Sequence, residues 1–151
     1  MAKKLQGPKS KAWDEFARWI RVKGCIESTG IPFVGVCITC GKRFHISFLD
    51  AGHLIPGRRN AVLLHEEAVN PQCRICNQGK HGCNKKYRVI MEAKYGCKQV
   101  ERWYIDSKKI IHDRDMDFEG KGAMYHVRTR ALLLVHGYSD FDDMMRGSRG
   151  I

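Results

Sequence analysis

A chain of 151 residues is long enough for one domain with a modest core and too short for two ordinary domains side by side. Its 27 Lys and Arg against 16 Asp and Glu leave a net charge of +11, which points to a polyanionic partner, nucleic acid ahead of an acidic membrane or protein surface. The opening MAKKLQGPKSK lacks the apolar run of an export signal, and no run of about 20 apolar residues exists to cross a bilayer, so no membrane partner and a cytoplasmic location are expected.

Residues 1–11 read as a flexible basic tail able to track phosphates. Trp13, Phe16, Ala17 and Ile20 then recur at i, i+3, i+4 and i+7, the signature of one buried helix face, with Gly24 as its stop. Residues 31–56 mix β-branched and aromatic side chains with glycines, which suits short strands around a tight turn. Residues 58–69 read as an irregular connection. Tyr87, Ile90, Met91 and Tyr95 mark a second helix ending near Gly96. Val100, Trp103, Tyr104, Ser107 and Ile110 mark a third, which runs until the acidic and glycine-rich DRDMDFEGKG. The segment YHVRTRALLLVHGY fits a helix or a strand equally well.

Seven cysteines without an export signal argue against a disulfide framework, because the cytosol keeps thiols reduced. Cys37-x-x-Cys40 and Cys73-x-x-Cys76 instead form two pairs, each able to offer two thiolates from one turn to a tetrahedral ion. Together they make a closed, structural zinc site, with Gly41 relieving the first turn. Removing the ion should unfold the region. Cys25, Cys83 and Cys97 are read as small buried apolar residues.

Between the pairs lies LDAGHLIPGRRN, and Asn77 and His81 follow the second pair. On a helix, residues four apart share a face, so Asn77 and His81 could share one ion at a scissile phosphate. His53 would stand opposite as a neutral imidazole that takes a proton from water. Magnesium or manganese is the ion expected, because the donors mix oxygen and imidazole. The plainer alternatives are that Asn77 caps the following helix and that His53 is a structural histidine. Arg58, Arg59, Arg74, Lys80, Lys85, Lys86 and Arg88 cluster around this region and would bind DNA through its phosphates, or else form a solvated basic face.

These features resemble the HNH, or ββα-metal, endonucleases. More closely, AWDEFARWIRVKG, CITCGK, LDAGHLIP, QCRICN and the Tyr87-Arg88 pair are similar to the lambda NinG (Rap) family of phage recombination endonucleases, from about Ala12 to Gly96. The resemblance implies an α+β, treble-clef-like nuclease domain over 12–96 and a helical extension over 97–151. It further implies His53 as general base, Asn77 as metal ligand, and a preference for branched DNA such as Holliday junctions or displacement loops. Many HNH enzymes carry Asp or His directly before the base; here that slot is Gly52, which leaves Asp50 as a candidate ligand or a turn brace. Asn70 is the candidate for bracing the hairpin, since the usual Asn position holds Ala68. A two-fold junction suits a homodimer joined through 97–151. The rival from another class is a non-catalytic zinc-knuckle DNA-binding protein, followed by an RNA-binding one.

Overall fold

The computed structural model describes residues 4–150 and is of the α+β class; the start of the expected tail, residues 1–3, lies outside them. Helix α1 spans Gly7–Thr29 and buries Ala12, Phe16, Trp19, Ile20, Val22 and Cys25 along one side. It takes in five residues expected to be a flexible tail, helped by a proline in its first turn, whose missing N–H costs nothing there. It also runs straight through Gly24. That glycine is a crossing point: a Cβ there would overlap the Pro71 ring. The stop is Gly30, whose left-handed φ of 77° lets its amide reach the Ile26 carbonyl at 2.8 Å.

Two short antiparallel hairpins follow. Strand β1 (Val34–Val36) pairs with β2 (Arg43–His45), and the turn between them carries the first cysteine pair. Strand β3 (Leu49–His53) pairs with β4 (Val69–Cys73) in a register that sets Asp50 opposite Gln72 and Gly52 opposite Asn70. Strand alternation then gives this hairpin two distinct faces. Leu49, Ala51 and His53 look toward α1, where Ala51 is buried with Phe16, Trp19 and Ile20. Asp50, Gly52, Asn70 and Gln72 look the other way. The connection expected to be irregular contains a one-turn helix α2 (Asn60–Leu63) and a 3-10 turn at Glu66–Ala68.

After the second cysteine pair come a wide π turn (Ile75–Gly79), a 3-10 turn (His81–Cys83), and helices α3 (Asn84–Tyr95) and α4 (Cys97–Asp106). Tyr87, Met91, Val100 and Trp103 from these helices are buried with Leu54, Ile55 and Val62. Helix α4 stops at Asp106, short of the expected Ile110, which is 86% exposed. The Ser107 hydroxyl donates to the Tyr104 carbonyl at 2.7 Å, and the next two amides make only tight turn bonds, so the helix unwinds.

YHVRTRALLLVHGY resolves as helix, inside α5 (Phe118–Val135), which begins within the glycine-rich stretch expected to be a break. Asp117 caps it by accepting from the Gly120 amide at 2.9 Å. Gly122 lets α5 close on α1, since a Cβ would lie 3.3 Å from Ala12 Cα. A last helix, α6 (Phe141–Gly147), lies within the expected helical extension. Leu133 of α5 and Met144 of α6 are fully buried in one cluster with Cys37, Cys73 and Cys76. Glu66 adds a polar tie, accepting from Trp19 Nε1 at 3.1 Å, the Tyr125 hydroxyl at 3.2 Å and Arg128 Nη1 at 2.5 Å. Among the described residues no helix is long and apolar enough to cross a membrane.

Candidate metal centre and catalytic cleft

Cys37, Cys40, Cys73 and Cys76 converge, their sulfurs all within 4.8 Å of one another, and three of the four are buried. Local backbone geometry explains how each pair is aimed. In the first turn the Gly41 amide donates to the Cys37 carbonyl and the Cys37 amide to the Lys42 carbonyl, both at 2.9 Å, with Gly41 at φ 72°. The second pair starts at the end of β4, where the Cys73 amide donates to Cys37 Sγ at 3.3 Å. Burial raises the Cys37 thiol, but N–H groups of Cys40, Cys73 and Thr39 outweigh it and hold it down at about 7. Burial pushes Cys76 and Cys73 the other way. Four soft thiolate donors at this spacing fit zinc. Of the other cysteines, Cys25 is buried and pushed by burial up to about 12, Cys83 is partly covered, and Cys97 is exposed, against expectation, at the start of α4.

A cleft of about 1140 Å³ opens where the β3–β4 hairpin meets α1 and the turns after the second cysteine pair, and His53, Asp50, Asn77 and His81 all line it. The His53 ring stacks on Trp13 of α1, with centroids 5.1 Å apart and planes at 17°. Its Nε2 lies 3.1 Å from the Leu63 carbonyl oxygen. A carbonyl only accepts, so Nε2 carries the proton and Nδ1 is left as the basic nitrogen. Burial lowers the imidazole below its ordinary range, opposed by the Leu63 carbonyl and assisted by the Arg58 charge. His53 is therefore neutral near pH 7.

Across the cleft, Asp50 Oδ2 accepts from Asn77 Nδ2 at 2.9 Å and from Gln78 Nε2 at 2.8 Å. With its NH2 committed to Asp50, Asn77 keeps its carbonyl oxygen for another partner. Asn70 is half-buried and donates to the Tyr87 hydroxyl at 2.9 Å, which in turn donates to the Gly52 carbonyl at 3.0 Å. It thus ties the hairpin to α3 and does not line the cleft. The expected α-helical spacing of Asn77 and His81 is corrected: Asn77 lies in the π turn and His81, exposed, adopts a left-handed φ of 51°. Both still rim the cleft, but from separate turns.

A family comparison adds to this geometry. The model of the bacteriophage lambda NinG protein family matches residues 2–132. The chain belongs to that family. The match reaches into α5. No curated protein and no solved structure gives a significant match.

The basic residues of this NinG-family chain divide into two sets. Arg58 and Arg59 line the cleft, Arg58 lying over the Trp13 ring at 5.7 Å. Arg74 is fastened beside it, donating to the Ser47 carbonyl at 2.8 Å and standing 3.9 Å from Asp50. Lys80, Lys85 and Lys86 are exposed on the turns and α3 but do not line the cleft, and Arg88 is committed to Glu92 and Glu101 at 2.7 and 2.8 Å. Trp13, Arg21 and Gln78, absent from the sequence candidates, also line it, as does Lys9 of the expected phosphate-tracking tail, which is paired with Asp113 at 3.0 Å. Trp13 carries only a core-face signal, and Arg21 lies on α1, far from the motif in sequence.

Proposed function

We propose that this chain is a metal-dependent DNA endonuclease of the HNH, ββα-metal type, which hydrolyses phosphodiester bonds and favours branched recombination intermediates. The observation that carries the reading is the polarised histidine. His53 has one nitrogen tied to a backbone carbonyl and the other free at a basic cleft, within which Asp50 and Asn77 present oxygen donors. Its Nδ1 takes the proton of the attacking water, and the Nε2–H bond to Leu63 steadies the ring as charge arrives. Arg58 and Arg59, which line the cleft, neutralise phosphates beside the scissile one.

A divalent ion suits this donor set. Among the described residues the cysteines form the only group of three or more His, Cys, Asp or Glu side chains close enough to hold a metal, so an ion in the cleft would take fewer than three such side chains. Magnesium and manganese are commonly bound that way, by one or two protein oxygens with water and substrate phosphate completing the shell. Asp50 and Asn77 would hold such an ion, which would supply positive charge to the phosphate and the leaving oxygen. Zinc in the cysteine cluster is structural.

The test is incubation with a branched DNA and a linear duplex, with and without magnesium or manganese, using the native chain and His53→Ala. Metal-dependent nicking, faster on the branched substrate and lost in the variant, is expected. Retained DNA binding without nicking in any condition selects the zinc-knuckle binding protein instead, and preference for RNA selects the third class.

A further inference from the structure

Residues 107–112, SKKIIH, set two lysines directly before two isoleucines. Had α4 continued, it could have buried an isoleucine on its inner face, but it ends at Asp106 and Ile110 stands 86% exposed, more than any other large apolar side chain among the described residues. The far end of this loop is fastened. Asn60 Nδ2 donates to the Ile111 carbonyl at 2.9 Å and to Asp113 Oδ1 at 2.7 Å, and Lys9 Nζ reaches the same carboxylate oxygen at 3.0 Å. A loop held this way cannot fold its apolar tip out of water.

A lone exposed isoleucine means little by itself. This one lies on the wall of a second cavity, of about 640 Å³, together with Lys9, Arg58, Arg59, Lys108 and Lys109, against the one carboxylate of Asp113. Lys9 and Asp113 pair with each other, which leaves that wall positive through the two arginines and the loop lysines. Lys109 is bridged to Asp106 at 2.8 Å, an exposed pair weak enough to yield to a phosphate. Lys9, Arg58, Arg59 and Asp113 also line the His53 cleft, so the two spaces share a wall and the smaller continues the larger toward the end of α4. Lysines give a polyanion affinity without sequence preference. An isoleucine has nothing to offer a phosphate, but it does pack against bases whose stacking is broken. A straight duplex hides its base faces, and a branch exposes them.

We propose that the 107–112 loop reads the branch: Lys108 and Lys109 hold phosphates of the DNA arm that leaves the cleft past Arg58 and Arg59, and Ile110 packs on the base face laid bare where the strands part. This inference rests on the DNA reading given above and assigns its structure preference to a loop outside the catalytic groups.

Binding of the zinc-loaded full chain to a four-way junction and to a linear duplex is measured by fluorescence anisotropy over a range of salt, with no magnesium or manganese added so that nothing is cut; nicking is then read with the metal present. Lys108→Gln combined with Lys109→Gln should weaken both DNAs and lower the slope of log affinity against log salt by about 1.4–1.8, the value for two phosphate contacts. Ile110→Ser should weaken the junction roughly tenfold, leave the duplex and the salt slope as they were, and abolish the rise in fluorescence of a 2-aminopurine placed at the branch. Val135→Ser, 81% exposed at the end of α5, is the control and should do neither. All these side chains are exposed, so the fold should survive each change. Equal losses on junction and duplex in Ile110→Ser, or a salt slope untouched by the lysine pair, overturns the proposal. So does self-association that depends on Ile110 while DNA binding is unmoved, which would make the loop a protein contact. Loop-dependent junction binding without nicking keeps this inference and removes the nuclease reading; nicking that prefers the junction as strongly in Ile110→Ser as in the native chain does the reverse. A native chain that binds neither DNA overturns both.

Discussion

The cysteine cluster and the His53 cleft are both made from a strand end and a turn, yet their donors are in opposite states. In the cluster four sulfurs point at one another and are, for the most part, buried, so their like-charged forms can coexist only around a cation. In the cleft Asp50 and His53 already have protein partners: Asp50 holds Asn77 and Gln78, and His53 holds the Leu63 carbonyl. One arrangement is built to hold an ion. The other is pre-set without one and stays open, which is what a site must do if substrate is to complete it.

The largest effect that separates the two regions is metal removal. Stripping metal with a thiol-competing chelator, or Cys73→Ser, should abolish the cooperative unfolding transition, since structural zinc supplies roughly 10–16 kcal/mol in small zinc domains. Far- and near-ultraviolet circular dichroism checks this, and a native spectrum from fully metal-free protein contradicts it. Withholding magnesium and manganese should leave the same spectra untouched. His53→Ala comes next: loss of a general base lowers nicking by roughly 10²–10⁴-fold, with DNA affinity unchanged. A variant still cutting at the native rate ends the assignment of His53.

Smaller, and aimed at the cluster's side of the comparison, is Leu133→Ala. Leu133 comes from α5 and is fully buried beside the cysteine region, so a cavity there should destabilise the chain by about 2–5 kcal/mol in urea unfolding. Val127→Ala on the same helix, 64% exposed, should change stability by less than about 0.5 kcal/mol. Equal effects at the two positions would show that α5 is an appendage.

The difference between the regions also explains what could be read from the sequence. Each cysteine pair is aimed by the backbone of a single turn, so C-x-x-C spacing conveys its geometry directly. The candidate base and ligand were found the same way, by their places between and beside those pairs. What escaped depends on neighbours distant in the chain. Gly24 has the look of a helix stop, but its role is set by Pro71 of β4. Trp13 has the look of a core residue, and stacks on His53 because α1 crosses the hairpin. Asn77 and His81 keep a helical spacing that local backbone breaks with a π turn and a left-handed residue. Gln72 gives no signal in sequence at all; only the paired strands reveal that it fills the space beside Gly52.

The finest test of the pre-set cleft is its response to acid. Burial lowers the His53 pKa below the ordinary 6.5, against the pull of the Leu63 carbonyl. The folded chain therefore binds fewer protons at this site than the unfolded chain in the interval between the depressed value and 6.5. Its stabilising contribution is full above that interval, and is lost as pH falls through it. On the proposed mechanism activity should follow the same sign, because only the neutral ring can accept the water proton. Nicking should hold its plateau through neutrality and decline only below the ordinary histidine value. Arg58→Ala removes a positive charge that helps depress the ring, so it should shift that acidic limb upward while the plateau stays flat. A limb centred at or above 6.5 in the native chain would mean that His53 is hydrated like a surface histidine, and that the cleft is not pre-set around it.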